Sequence, residues 1–152
     1  MKQLIKRIFN KDASKEQESN MHETPTVEKS PYEILGGEDG VKALADRFYD
    51  VMAEEEYAKP LYDMHPQPLD RIRLVFFEFL SGWLGGPDLF VEKYGHPMLR
   101  KRHMPFAIDK DLRDQWMFCM NKALEIEVDN PLLRVGLRKS FEQLASHMIN
   151  KD

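Results

Sequence analysis

Cysteine is almost missing from this chain. Its single thiol, Cys119, cannot close an internal disulfide, so the sequence suits a reducing compartment. Long apolar runs are missing too: nothing approaches the roughly 18 uninterrupted residues of a membrane span. At the start, MKQLIKRIFN, Lys6 and Arg7 interrupt anything resembling a signal-peptide core, and the expectation is a cytoplasmic protein. There is no basic excess. A formal net charge of −4 over 152 residues argues against a dedicated nucleic-acid binder, whose footprint would be strongly positive. No Cys or second His stands at zinc-finger spacing, no carboxylate pair lies in an apolar context, and neither a Gly-rich phosphate loop nor a Ser nucleophile motif is present. A bare-metal site or a hydrolase is therefore poorly supported. The Val/Ile/Thr alternation of a half-buried strand is also absent.

What is present is length for one domain with a proper core, and a supply of 9 Phe and 9 Met that makes this core one of flat and flexible groups. Residues 1–30 are rich in Lys, Glu, Ser and Asn and lack a sustained apolar period, which reads as an appendage outside the core. Within it Leu4, Ile5, Ile8 and Phe9 have the spacing of one short amphipathic turn, read either as a solvated tail or as a weak contact with a membrane surface or partner. The domain proper is read as 31–152. Gly36-Gly37 reverses the chain, after which Val41, Leu44, Ala45, Phe48 and Met52 recur at helical spacing with Tyr49 at the edge of the stripe. Glu54, Glu55 and Glu56 form a solvated end, Pro60 limits the next turn, and Met64, His65, Pro66 and Pro68 make a corner. Leu69, Ile72, Phe76, Phe79, Leu80 and Trp83 trace a second apolar face that runs into Gly85-Gly86-Pro87. Asp109 is placed to cap a helix carrying Leu112, Trp116, Cys119, Met120 and Ala123, and Asn130-Pro131 to open a last one with Leu133, Leu137, Phe141, Leu144 and Met148 inward. The expected fold class is all-α, with helices packed in pairs.

The stretch from Gly95 to Trp116 draws these elements together. His103 ends a short basic segment one turn after Leu99, with Phe106 beyond, and Pro105 is expected to stop the helix by pushing Met104 out of helical geometry. Such a histidine has two readings: a core imidazole satisfied by a backbone carbonyl, or a ligand to a transition metal. The polar-tipped members of the apolar faces are few, namely Tyr49, His65, His103 and Trp116. If they converge, they line a large apolar cavity with a ligand on one side and hydrogen-bond donors on the other, which suits a flat, apolar, metal-bearing cofactor such as haem.

Four motifs in one order carry a more specific likeness: RFYD at 47–50, GWLGGP at 82–87, GHPMLRKRHMPFAI at 95–108 and RDQWMFCM at 113–120. Over roughly Pro31 to Asn150 the sequence resembles the group II truncated haemoglobins, also called 2/2 haemoglobins. The resemblance implies a shortened globin fold, a two-over-two helical sandwich around haem b, preceded here by an N-terminal extension. It makes His103 the proximal iron ligand and Tyr49 and Trp116 the distal hydrogen-bond donors. It places Ile72 and Phe76 on the distal helix and sets His65 at a corner where relatives carry tyrosine or phenylalanine. Tyr49, with His65 second, is also implied as a ligand to ferric iron when no outside ligand is present. Arg102, just before His103, has the geometry to meet a haem propionate. Arg100 and Lys101 read as a solvated face, His96 as a turn residue, His22 and His147 as surface positions, and Cys119 as packing.

A polarised diatomic such as dioxygen prefers O–H and N–H donors, and apolar Ile72 offers none, so Tyr49, Trp116 and His65 are expected to supply them and to slow ligand release. The implied function is binding of oxygen, nitric oxide and carbon monoxide, used with a reductase in redox chemistry such as nitric oxide dioxygenation or peroxide consumption. The alternative is a haem-based gas or redox sensor acting through a partner protein.

Overall fold

The computed structural model describes residues 28–152. The short turn expected at Leu4, Ile5, Ile8 and Phe9, like His22, lies outside the described residues. Among the described residues every regular element is helical. We number them α1 (Pro31–Ile34), α2 (Gly37–Glu54), α3 (Lys59–Asp63, entered through a 3₁₀ turn at Glu56–Ala58), α4 (Asp70–Trp83), α5 (Leu89–Tyr94), α6 (Leu99–His103), α7 (Lys110–Glu127) and α8 (Pro131–His147).

The long helices form where the apolar period is sustained. Helix α2 buries Val41, Leu44, Ala45, Phe48, Tyr49 and Met52, and it packs against both α4 and α7. Helix α7 also packs against α8, so α2 with α4 and α7 with α8 make two layers of two. The starts of α7 and α8 are capped as expected. The Asp109 carboxylate accepts from Leu112 N at 2.9 Å and the Asn130 side chain accepts from Leu133 N at 3.0 Å, each satisfying a backbone donor that the first turn leaves without an intrahelical partner. Phe48, Phe141, Leu44, Met52, Leu80 and Met120 fill the centre and are fully buried.

Three local features differ from the sequence reading. Pro60 does not restrict a turn; it sits in the first turn of α3, where its missing N–H costs no intrahelical bond. The six-residue helix α5 has no counterpart in the expected elements, because it is too short for an apolar period to show. Met104 keeps helical angles, φ −57° and ψ −33°, so the steric rule for a residue before proline does not end α6. What stops the helix is the lack of an N–H on Pro105, after which Phe106 N turns back to the His103 carbonyl at 2.9 Å.

Candidate functional site

Helix α6 is only five residues long and none of them is fully buried. It is entered through Met98 at φ 42°, a left-handed conformation unusual for a side chain of this size. Its orientation is held by its neighbours. The Arg102 guanidinium donates from Nε to the Pro97 carbonyl at 2.6 Å and from Nη2 to the carbonyls of Tyr94 and His96 at 3.1 and 3.4 Å, and it lies over the Phe90 ring. That leaves Nη1 as the nitrogen of Arg102 without a partner among the described residues. Arg100, expected on a solvated face, donates from Nη1 to the carbonyls of His147 at 2.7 Å and Ile149 at 3.0 Å. Main-chain carbonyls at the end of α8 lack intrahelical donors, and a guanidinium supplies them.

His103 Nδ1 donates to the Leu99 carbonyl at 2.6 Å. With that proton placed, Nε2 carries the ring's lone pair and faces away from the helix's own turn. His65 is built in the same way: its Nδ1 donates to the Leu61 carbonyl, also one turn back, at 2.8 Å. Neutral His65 consequently has a lone pair and no hydrogen at Nε2, so it can accept a hydrogen bond or ligate but cannot donate. Burial pushes the His65 pKa down, the Leu61 carbonyl pulls it partly back, and the charge of His103 lowers it further.

Tyr49 stands at the junction of the aromatic side chains. Its ring centroid is 4.9 Å from Phe48, 5.7 Å from Phe76 and 5.8 Å from His65, each pair edge-to-face. Trp116 is 4.9 Å from Phe48 and 6.3 Å from Phe76. The structure thus brings Tyr49, His65, Phe76 and Trp116 together, with Ile72 half-buried against the same core. Phe106 is different: it is 45% exposed, on the chain just after His103. The Tyr49 residue is 4% exposed, and among the described residues neither its hydroxyl nor the indole N–H of Trp116 makes a protein hydrogen bond, yet neither is one of the buried polar atoms left without a partner, so both open onto the space they line. Burial drives the Tyr49 pKa well above the ordinary phenol value, against a smaller opposing effect of Arg73.

Sequence reasoning missed several residues that hold this arrangement. Arg73 lies over the Tyr49 ring at 6.0 Å and pairs with Asp50 at 2.8 Å, while its Nη1 donates to the Asp46 carbonyl at 2.9 Å, which ties α4 to α2. The buried Gln115 accepts from Leu61 N at 3.0 Å and so fixes the start of the His65 corner on α7. Asn150 joins the segment after α8 to the connection after His103. Gln115 falls inside the RDQWMFCM string at 113–120, which does not reveal its partner, and nothing local in the sequence marks Asn150.

A flat, apolar iron cofactor fits these residues on their chemistry. Two imidazoles present Nε2, one on α6 and one at the α3–α4 corner, and two donors in an aromatic surround lack protein partners.

Residues 30–150 match the family model described as bacterial-like globin. The chain is 37% identical over 122 residues to group 2 truncated hemoglobin YjbI of Bacillus subtilis (strain 168), covering 80% of this chain and 89% of that protein. Among solved structures it resembles the cold-adapted truncated hemoglobin of the Antarctic marine bacterium Pseudoalteromonas haloplanktis TAC125, at 80% identity and a TM-score of 0.81, over 82% of this chain and all of that one. It also resembles the group II 2-on-2 hemoglobin of Agrobacterium tumefaciens, at 37% identity and a TM-score of 0.81, over 85% of this chain and all of that one.

Proposed function

Because the chain belongs to the bacterial-like globin family and, within it, to the group II truncated haemoglobins, we propose that its domain at 31–152 holds haem b and binds dioxygen, nitric oxide and carbon monoxide. His103 would hold the haem iron, and the use would be redox chemistry on nitric oxide or peroxide with a reductase as electron donor. The observation that carries it is the committed Nδ1 proton of His103, which leaves Nε2 as a ligand, together with the partnerless donors of Tyr49 and Trp116.

Haem b, when bound, supplies a redox-active iron with a position open to small ligands. The chain does the rest. The Leu99 carbonyl accepts the His103 Nδ1 proton, which fixes the ring orientation and makes Nε2 a stronger base. Tyr49 keeps its proton throughout the ordinary pH range, since burial disfavours the phenolate, and so remains an O–H donor. Trp116 is a second donor of fixed polarity. As a ligand to ferric iron Tyr49 would give up its proton to the metal's charge, and His65, which is acceptor-only when neutral and presents Nε2, is the second candidate for that role. Ile72, Phe76 and Phe106 are the apolar side chains that would line the cofactor's site. Arg102 has Nη1 to offer a propionate, its other nitrogens being held by carbonyls.

The test is an absorption spectrum of the purified chain in ferric, ferrous and carbon monoxide forms. A Soret band that shifts on reduction and on addition of carbon monoxide is expected. A chain that takes up no hemin on titration would overturn the reading. In the ferric form, Tyr49→Phe and His65→Leu identify which side chain supplies the sixth ligand.

A further inference from the structure

The connection from His103 to α7 carries a second set of bonds that the site does not account for. The Asn150 carboxamide spans it: Nδ2 donates to the Phe106 carbonyl at 2.8 Å and to the His103 carbonyl at 3.3 Å, while Oδ1 accepts from Ile108 N at 2.8 Å. The backbone continues the contact, with Asn150 N and Lys151 N donating to the Ile108 carbonyl at 2.9 and 3.1 Å. On the other side of α6, Arg100 grips the carbonyls of His147 and Ile149. The segment 147–151 therefore holds both ends of the five-residue helix that presents the His103 imidazole. That helix has no fully buried residue and only half-buried Leu99 packs it against the core, so apolar packing leaves its orientation to the polar contacts.

We propose that Asn150 is a positioning residue for His103, its carboxamide setting the angle and tension with which the imidazole meets the cofactor iron. The inference rests on His103 being the axial ligand. The carboxamide suits the task because it presents a donor to two carbonyls and an acceptor to one N–H at once. Aspartate, of the same shape, lacks the donor and sets a negative charge against the two carbonyl oxygens. Alanine removes both functions.

The test is resonance Raman of the ferrous, haem-loaded full chain for wild type, Asn150→Ala, Asn150→Asp and Arg100→Ala, with haem loss to an apomyoglobin acceptor measured alongside. The Fe–His stretching band is expected to shift and broaden in both Asn150 variants, and haem loss to speed by about ten-fold, the low end for losing an outer partner of a metal ligand. Arg100→Ala is expected to have a smaller effect, since the carboxamide remains. Amide exchange at Ile108 in the same variants verifies that the contact has been broken. A wild-type band that both Asn150 substitutions leave in place, with haem loss unchanged, overturns the inference even if thermal stability falls. A wild-type chain with no Fe–His band overturns the functional reading and takes this inference with it.

Discussion

The Leu99 carbonyl oxygen lies 2.6 Å from Nδ1 of His103, so the candidate ligand and the group that fixes its tautomer belong to one turn of one short helix. The turn forms this pair without help from any distant side chain, and the rest of the protein has only to place the turn.

Replacing His103 with Gly deletes the proposed ligand and leaves Leu99 intact. Hemin affinity is expected to fall by at least ten-fold, with recovery when imidazole is added to fill the space. Hemin titration with and without imidazole measures both, and undiminished retention in the variant would refute the assignment.

Tyr49→Phe removes the hydroxyl of a buried residue that makes no protein hydrogen bond among the described residues. In the haem-free chain little change in stability is expected, because the hydroxyl has no protein hydrogen bond to lose. In the loaded chain a hydrogen bond to a polarised ligand contributes about 1–2 kcal/mol, so oxygen dissociation is expected to be roughly ten-fold faster. Thermal melts and stopped-flow displacement of oxygen by carbon monoxide read the two effects separately. A dissociation rate unchanged in the variant would show that the phenol is not a donor.

Cys119 is fully buried, and burial, aided by Glu55 and opposed by Lys122, pushes its thiol up to about 12 from 9.0. Only the thiolate reacts with alkylating agents, so at pH 8 the folded chain is expected to resist iodoacetamide while the urea-unfolded chain reacts. The sign of the linkage follows from the same shift. Above pH 9 the unfolded thiol loses its proton and the folded one does not, so stability falls as pH rises from about 9 towards 12. Denaturant melts of wild type and Cys119→Ala are expected to diverge in slope over that window and to run parallel below it.

Gly40 lies inside α2, where helix propensity alone would make Gly40→Ala favourable by about 1 kcal/mol. The geometry reverses the sign. A Cβ there would run into the Leu35 carbonyl oxygen and stand 2.6 Å from its carbon, and this backbone is pinned by the α1–α2 turn. Overpacking of this kind costs about 1–3 kcal/mol, so the melting temperature is expected to drop by several degrees. A rise would mean that the turn relaxes without cost.

The long helices were legible in the sequence because each repeats its apolar period over several turns, and the caps at Asp109 and Asn130 because capping is local chemistry. Helix α5 was not legible, since Leu89–Tyr94 holds fewer than two turns. The site divides in the same way. Tyr49, Phe76 and Trp116 stood out as polar-tipped or aromatic members of apolar faces, and the structure brings their rings together. The roles of Gln115 and Asn150 were not legible, because the groups they bind lie 42 to 54 residues away and a lone amide side chain carries no periodic signal. For His65 the sequence suggested a donor, whereas a carbonyl one turn back claims its only neutral-state proton.

The Arg102 guanidinium has one further implication. Its partners at Tyr94, His96 and Pro97 are all main-chain carbonyls, which every amino acid possesses. Side chains in that loop can therefore drift during evolution without loosening the grip. Arg102 itself has no such latitude, since a lysine would offer a point charge where three oxygens meet a planar fork.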